Sequence, residues 1–159
     1  MTQPEPAQPI DSETLFRRHA SFVARLLFSL GVPVADIDDV VQEVFLVAHR
    51  LGGYVPGPAT PTSYLGSIAL RAAAGARRRA SVARQRHAEA ALDHMQDPAA
   101  SVVERLERSQ QLQDMDRALA RLPQALRLVL VLVDLEGESC AAVAASEGVA
   151  LGTIHWRLH

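Results

Sequence analysis

Apolar residues recur at three- and four-residue intervals along most of this chain, the spacing of one face of an α-helix. Asp11 or Ser12 can cap a first helix, along which Leu15, Phe16, Phe22, Val23, Leu26, Leu27 and Leu30 form a stripe. Gly31 and Pro33 end it. The next stretch, Asp36 to Arg50, has two unlike faces. Ile37, Val40, Val41, Val44, Phe45 and Ala48 share a buried stripe, while Asp39, Gln42 and Glu43 lie on the opposite side. Asp36 and Asp38 fall in the first turn, where carboxylates suit the helix dipole and can cap free N–H groups. Gly52 supplies the stop. Helices joined so tightly are expected to be antiparallel neighbours with one core.

Residues 52–61, GGYVPGPATP, hold three Gly and three Pro and read as a mobile loop. Thr62 or Ser63 is then placed to cap a third long helix reaching about His87. Tyr64, Leu65, Ile68, Ala69 and Ala72 make its apolar side. Gly66 and Gly75 lie inside it, each at a cost of about 1 kcal/mol relative to Ala. Residues 88–100 turn acidic and small, with a break at Asp97-Pro98, which marks a boundary. Ser101 and Glu104 are spaced as a capping box for a helix running to about Leu122. Pro123 suits the first position of the next, strongly apolar helix, which Gly137 ends. Ser139 opens a short Ala-rich helix, Gly148 supplies a turn, and LGTIHWRLH begins a last helix.

This pattern predicts an all-α chain of two small helical domains. Residues 1–10, with Pro4, Pro6 and Pro9, are expected to be a disordered lead, and 11–87 form the first domain. Residues 88–100 are the linker and 101–159 the second domain. Composition agrees: the apolar fraction of 48% can build cores, and aromatics are only 4%.

Charge adds what periodicity does not show. The net charge of −2 argues against a nucleic-acid binder by itself, but it is unevenly placed. All 16 basic residues are Arg. Between Glu43 and Glu89 no acidic residue occurs, while Arg50, Arg71, Arg77, Arg78, Arg79, Arg84 and Arg86 do. From Ala91 onward 10 acids face 6 Arg. A basic patch of this kind is either a solvated face or a surface for phosphates, which bind Arg clusters through counterion release.

Cys140 is the only cysteine, so no disulfide can form within the chain. The first residues lack the apolar core of a secretory signal, and no apolar run reaches the ~18 residues that span a bilayer. A cytoplasmic protein without membrane insertion is expected. No Gly-rich phosphate loop, nucleophile elbow or paired-carboxylate motif occurs, so neither an enzyme nor a cofactor is indicated. His155, His159 and Cys140 are too few soft ligands for a zinc site.

The last thirty residues read as a helix-turn-helix. Ala141, Ala144 and Ala145 permit close helix approach, and Val143, Val149, Ile154 and Leu158 form a small core. The second helix of such a unit presents its N-terminal side chains to base edges, here Thr153, His155, Trp156 and Arg157. By pattern alone an ordinary helical hairpin stays open beside this, as a plain solvated acidic face does for Asp36 to Arg50.

DDVVQEVFLVAHR resembles the core-polymerase-binding helix of the sigma-70 family of bacterial initiation factors, nearest the small extracytoplasmic-function (ECF) type, through its D-x-x-Q-[DE]-x-F arrangement. RLPQALRLVLVLVDLEGESCAAVAASEGVALGTIHWRLH is similar to the −35-binding region of the same family: a Leu-Pro start, an apolar helix, an acidic-Gly corner and a G-T-[VI]-x-x-R-L helix. The two stretches follow in the family's order, so the resemblance covers about residues 11–159. It implies that Asp36, Asp39, Gln42, Glu43 and the supporting Phe45 dock on core RNA polymerase. It places Tyr64, Arg71, Arg77, Arg78, Arg79, Arg84 and Arg86 on −10 promoter DNA, and Thr153, His155, Trp156 and Arg157 on the −35 element. It also implies an anti-sigma partner.

Two departures from the family pattern stand out. Where relatives often carry a Trp-Leu-aromatic run, this chain has Tyr64-Leu65-Gly66, leaving only Tyr64 to stack on bases. The chain also stops at His159, inside the expected recognition helix, and Leu122 to the end holds two Arg against four acids. Such a domain is expected to bind DNA weakly. The alternatives are a truncated sigma-like module that binds polymerase or an anti-sigma protein without initiating, and an unrelated helix-turn-helix regulator.

Overall fold

The computed structural model describes residues 9–88, 118, 119 and 121–159. The expected lead, linker and helix from residue 101 lie almost wholly outside the described residues. α1 runs Ser12–Ser29, and Asp11 caps it, accepting a 2.7 Å hydrogen bond from the Thr14 amide. That amide is the main reason the Asp11 carboxyl is held below its usual pKa. Leu30 and Gly31 close the helix, with Gly31 at φ +80°. A single 3₁₀ turn, Val34–Asp36, leads directly into α2, Ile37–Arg50. Asp36 thus enters the helix with near-helical backbone angles and makes no side-chain cap, contrary to its expected role. The chain is already wound when it reaches Asp36, so its carboxylate is not set back from the helix as a cap must be.

The glycine- and proline-rich loop is tied down rather than loose. Tyr54 pairs with Ile10 through two backbone hydrogen bonds of 2.8 and 2.9 Å, and its hydroxyl donates to the Ala59 carbonyl. α3 is Pro61–Ala88. Its cap is Thr60, not Thr62 or Ser63. The Ser63 amide donates to Thr60 Oγ1, and the Thr60 amide donates to Ser63 Oγ, both at 3.0 Å. Pro61 then occupies the first helical position, where its missing N–H is no loss.

The C-terminal unit starts with α4, Gln124–Leu130, with Pro123 just outside as the cap residue rather than first inside. A π-helical segment, Val131–Leu135, follows without a break. α5, Cys140–Glu147, is capped by Ser139 on the Ala142 amide at 3.1 Å, and Gly148 turns the chain at φ +66°. α6 is Leu151–Leu158. Among the described residues there is no strand beyond the Ile10–Tyr54 bridge, so the all-α expectation holds.

The two units share one core. α1, α2 and α3 pack pairwise through Leu15, Val23, Leu27, Val44, Ala48, Leu65 and Ala69, all fully buried. The other side of α3 receives α4, the π segment and α5, and Leu128, Leu132, Val143 and Ile154 continue the same cluster. Gly66 is the meeting point: a Cβ there would stand 3.0 Å from Leu132 Cδ1. The glycine that weakens α3 as a helix therefore lets a second layer approach its backbone.

Candidate functional site

The outer face of α2 is the first candidate surface. Asp39 and Gln42 are exposed, and Asp36 and Glu43 are half-buried. Behind them Val40, Val44 and Phe45 are buried, so the face rests on a packed core. Phe45 is covered and meets Phe16 edge-on at 5.0 Å, which fits a supporting role and not direct contact. Glu43 accepts a 3.1 Å ion pair from Arg79 of α3.

Two apolar residues on this surface escaped the sequence reading. Leu46 is 54% exposed, and Phe16, assigned to the α1 stripe, is 44% exposed. With Glu13, Gln42 and His49 they line a shallow groove of about 320 Å³ between α1 and α2. His49 Nδ1 and Ser12 Oγ, 2.9 Å apart, tie its floor across the two helices. The available signal was Leu46 itself, a large apolar side chain outside the buried stripe.

The arginines of α3 do not form one face. Arg71, Arg77, Arg78 and Arg79 are all exposed, but they divide. Arg79 turns to α2 and Glu43 beside Asp36 and Asp39. Arg77 and Arg78 line a cleft of about 700 Å³ with Gly31, Pro33, Ala74, Ser81 and Gln124. Arg71 lies within electrostatic reach of Glu147 on α5. The side chains of Arg84 and Arg86 lie outside what the structure describes. Residues 77 and 79 are about 200° apart around the helix, which turns Arg79 away from Arg77, and residue 71 lies two turns before residue 78 on the same side. Tyr64 is half-buried, packs on Tyr54 at 5.7 Å and donates to the Gly53 carbonyl at 3.1 Å. Burial holds its phenol above the usual pKa.

On α6, Ile154 is buried in the helix-turn-helix core, His155 and Trp156 are exposed and Thr153 is half-buried. Arg157 departs from the expected outward set. It is half-buried and faces Glu147, because it follows Ile154 by three residues and shares the inward side. Burial is the main cause raising the Glu147 carboxyl above its ordinary pKa, with Arg71 and Arg157 pulling the other way.

The contact between the units is polar at its edges. Arg127 is 2% exposed and donates to the Ser29 carbonyl at 2.8 Å and to the Leu122 carbonyl at 3.3 Å. Gln124 donates to the Leu30 carbonyl at 3.3 Å. The C-terminal carbonyls of α1, which a helix end leaves open, are thus satisfied from the other unit. Thr60 Oγ1 donates to Glu138 at 2.7 Å, and Arg25 stands 3.7 Å from Glu136. His19 is half-buried near Glu138, and burial lowers its pKa. No helix among the described residues is long and apolar enough to cross a membrane.

Comparison with known proteins bears on both units. The family sigma-70 region 2 matches residues 15–83. The ECF RNA polymerase sigma factor SigM of Mycobacterium tuberculosis is 35% identical over 145 residues, covering 91% of this chain and 70% of that protein. The ECF RNA polymerase sigma factor SigE of Mycolicibacterium smegmatis is 31% identical over 150 residues, covering 92% of this chain and 57% of that one. Among solved structures, CnrH in complex with the cytosolic domain of CnrY aligns at TM-score 0.61 and 22% identity, over 92% of this chain and 79% of that one. The sigma factor RpoE of Bartonella quintana, in complex with the anti-sigma factor NepR, aligns at TM-score 0.64 and 20% identity, over 92% and 88%. At these identities the two structures speak for the fold.

Proposed function

Because the chain belongs to the extracytoplasmic-function sigma factors of bacterial RNA polymerase, we propose that it works by recruitment, with the outer face of α2 as its polymerase dock. The observation that carries this assignment is the placement of Asp39, Gln42 and Glu43 on one accessible face over a rigid apolar stripe. A fixed acidic face suits a basic partner, and Leu46 and Phe16 add apolar area beside it, in the groove between α1 and α2. Asp36 sits at its start and Phe45 holds it from beneath.

DNA contact is the second part of the proposal. Tyr64 and the arginines Arg71, Arg77, Arg78, Arg84 and Arg86 serve the −10 element, through phosphate contacts that position the strand without reading it. Thr153, His155 and Trp156 serve the −35 element, and Arg157 supports α6 from its inner side. The chain needs no covalent step and no cofactor for this role, and it acts in the cytoplasm. Residues 11–87 and 101–159 are the two working domains. An anti-sigma partner is part of the same reading, supported by the complex in which the similar RpoE fold is seen.

The test is binding to core RNA polymerase, wild type beside the double reversal Asp39→Lys and Glu43→Lys, followed by run-off transcription from a promoter library. Wild type should bind and yield transcripts, and the reversal should weaken binding at least tenfold. Equal binding by both proteins removes α2 from the interface. Binding without transcripts would return the interaction-module reading.

A further inference from the structure

Ala74, Arg77, Arg78 and Ser81 recur at three- and four-residue spacing and so share one face of α3. That face lines the cleft of about 700 Å³, a volume within the range of small-ligand sites, about 300–1,000 Å³. Gly31 and Pro33, from the turn between α1 and α2, line it as well, as does Gln124 of α4. The place of the missing Gly31 Cβ lies 3.9 Å from Arg77 Cδ and Nε, so the lack of a side chain there leaves the flank of that guanidinium open.

The cleft holds charge of one sign. Arg77 and Arg78 are both exposed. Among the described residues no carboxylate lines the cleft, and neither arginine has an acidic partner. The acids of α2 are met by Arg79, on another face of the helix. A recess lined by one sign of charge focuses the field inside it. Each guanidinium offers its N–H donors in a planar fork that matches a phosphate. Neutral donors stand beside them. Ser81 brings a hydroxyl, and Gln124, whose Nε2 donates to the Leu30 carbonyl at 3.3 Å, keeps its second N–H. The same hydrogen bond, with the one from Arg127 to the Ser29 carbonyl at 2.8 Å, fixes the end of α1 against α4. The walls of the cleft are therefore set before a ligand arrives.

We propose that this cleft is a binding site for a compact polyphosphate, the di- or triphosphate chain of a free nucleotide or its inorganic counterpart. Phosphates that share bridging oxygens bring several charges into one recess, whereas a nucleic-acid strand spaces its charges one to a nucleotide. Phosphate chemistry is common to both sources, so the experiment compares them. The site does not depend on the assignment of α3 to promoter DNA. Because its lining comes from both units, a bound anion also bridges them and stabilises the fold by mass action.

The experiment titrates the full chain with inorganic tripolyphosphate in low-salt buffer by isothermal calorimetry. Wild type should bind with one-to-one saturation and melt at a higher temperature in its presence. Ser81→Glu, at an exposed position, sets a carboxylate beside Arg77 and Arg78. It should weaken binding at least tenfold and abolish the melting shift, and Arg77→Ala with Arg78→Ala should do the same. Arg50→Ala, which removes an exposed cation outside the cleft, should bind as wild type does. A 5′-phosphorylated trithymidylate, with the same number of phosphates as tripolyphosphate, should bind at least tenfold more weakly. Three results would overturn the site: no saturable binding by wild type, equal losses in Arg50→Ala and Ser81→Glu, or trithymidylate bound as tightly as tripolyphosphate. Polymerase recruitment is read on core enzyme without tripolyphosphate, so the two proposals fall independently.

Discussion

A Cβ on Gly53 would stand 2.3 Å from the Ile10 carbonyl oxygen, with the backbone held at φ +86°. Gly52 has nearly the same φ, +85°, but open space around it. Substituting each by Ala separates strain from collision. Gly52→Ala should lose about 1–2 kcal/mol from the left-handed backbone alone, and Gly53→Ala clearly more, because the Ile10–Tyr54 pairing must shift as well. Urea denaturation of the pair measures the difference, and equal losses would remove the collision from the account. Glu147 gives a pH-dependent case. Its pKa is raised in the fold, so its stabilising share is complete below the ordinary carboxylate pKa and lost as pH rises through the raised value. Glu147→Gln should therefore match wild type in acid and melt higher at neutral pH. A wild type that melts higher at neutral pH would mean that the attraction to Arg71 and Arg157 outweighs burial. The sequence made Gly52 legible as a helix stop, since a glycine after a periodic run has one common meaning. It could not show why Gly53 follows, because the reason is the carbonyl of a residue more than forty positions away.

Helices were the most legible level, and their ends less so. The buried stripe of α2, from Val40 to Ala48, is the one that three- and four-residue spacing indicates. The start of α3 was misplaced by two or three residues because Thr60, Thr62 and Ser63 all qualify as caps, and only the seat of Pro61 decides among them. Ser139 was unambiguous, standing alone before an Ala-rich run. Ser139→Ala should cost about 1 kcal/mol in a denaturation experiment by freeing the Ala142 amide. No measurable loss would mean that water replaces the cap. The π-helical turn at Val131–Leu135 had no signal in an unbroken apolar run, where helix registers look alike. The exposure of Leu46 was readable in principle, since it falls outside the stripe. The four described arginines of α3 are all exposed, but their division among three neighbours depends on what packs beside α3, which the arginine run does not show.

At the scale of the molecule, pattern predicted two units and could not place one on the other. The deciding residues are few: a glycine that admits Leu132 and an arginine buried among the carbonyls of another unit's helix. An arginine in an apolar helix reads as an interruption, whereas here Arg127 joins the halves. Its loss removes charge-assisted hydrogen bonds worth about 1.5–3 kcal/mol each when buried. Arg127→Ala should turn a single cooperative unfolding curve into two separated transitions, as followed by far-ultraviolet circular dichroism. One transition at lower denaturant would instead mean that the C-terminal unit cannot stand alone. The choice of optical probe matters, because the chain has one tryptophan, Trp156, and it is 75% exposed on the last helix. An indole already in water changes its emission little when the protein unfolds, so intrinsic fluorescence will nearly miss denaturation. The same indole is dark to folding but open to a visitor: any surface that covers α6 should blue-shift or quench it, giving this protein a label-free signal for the arrival of a partner at that one end.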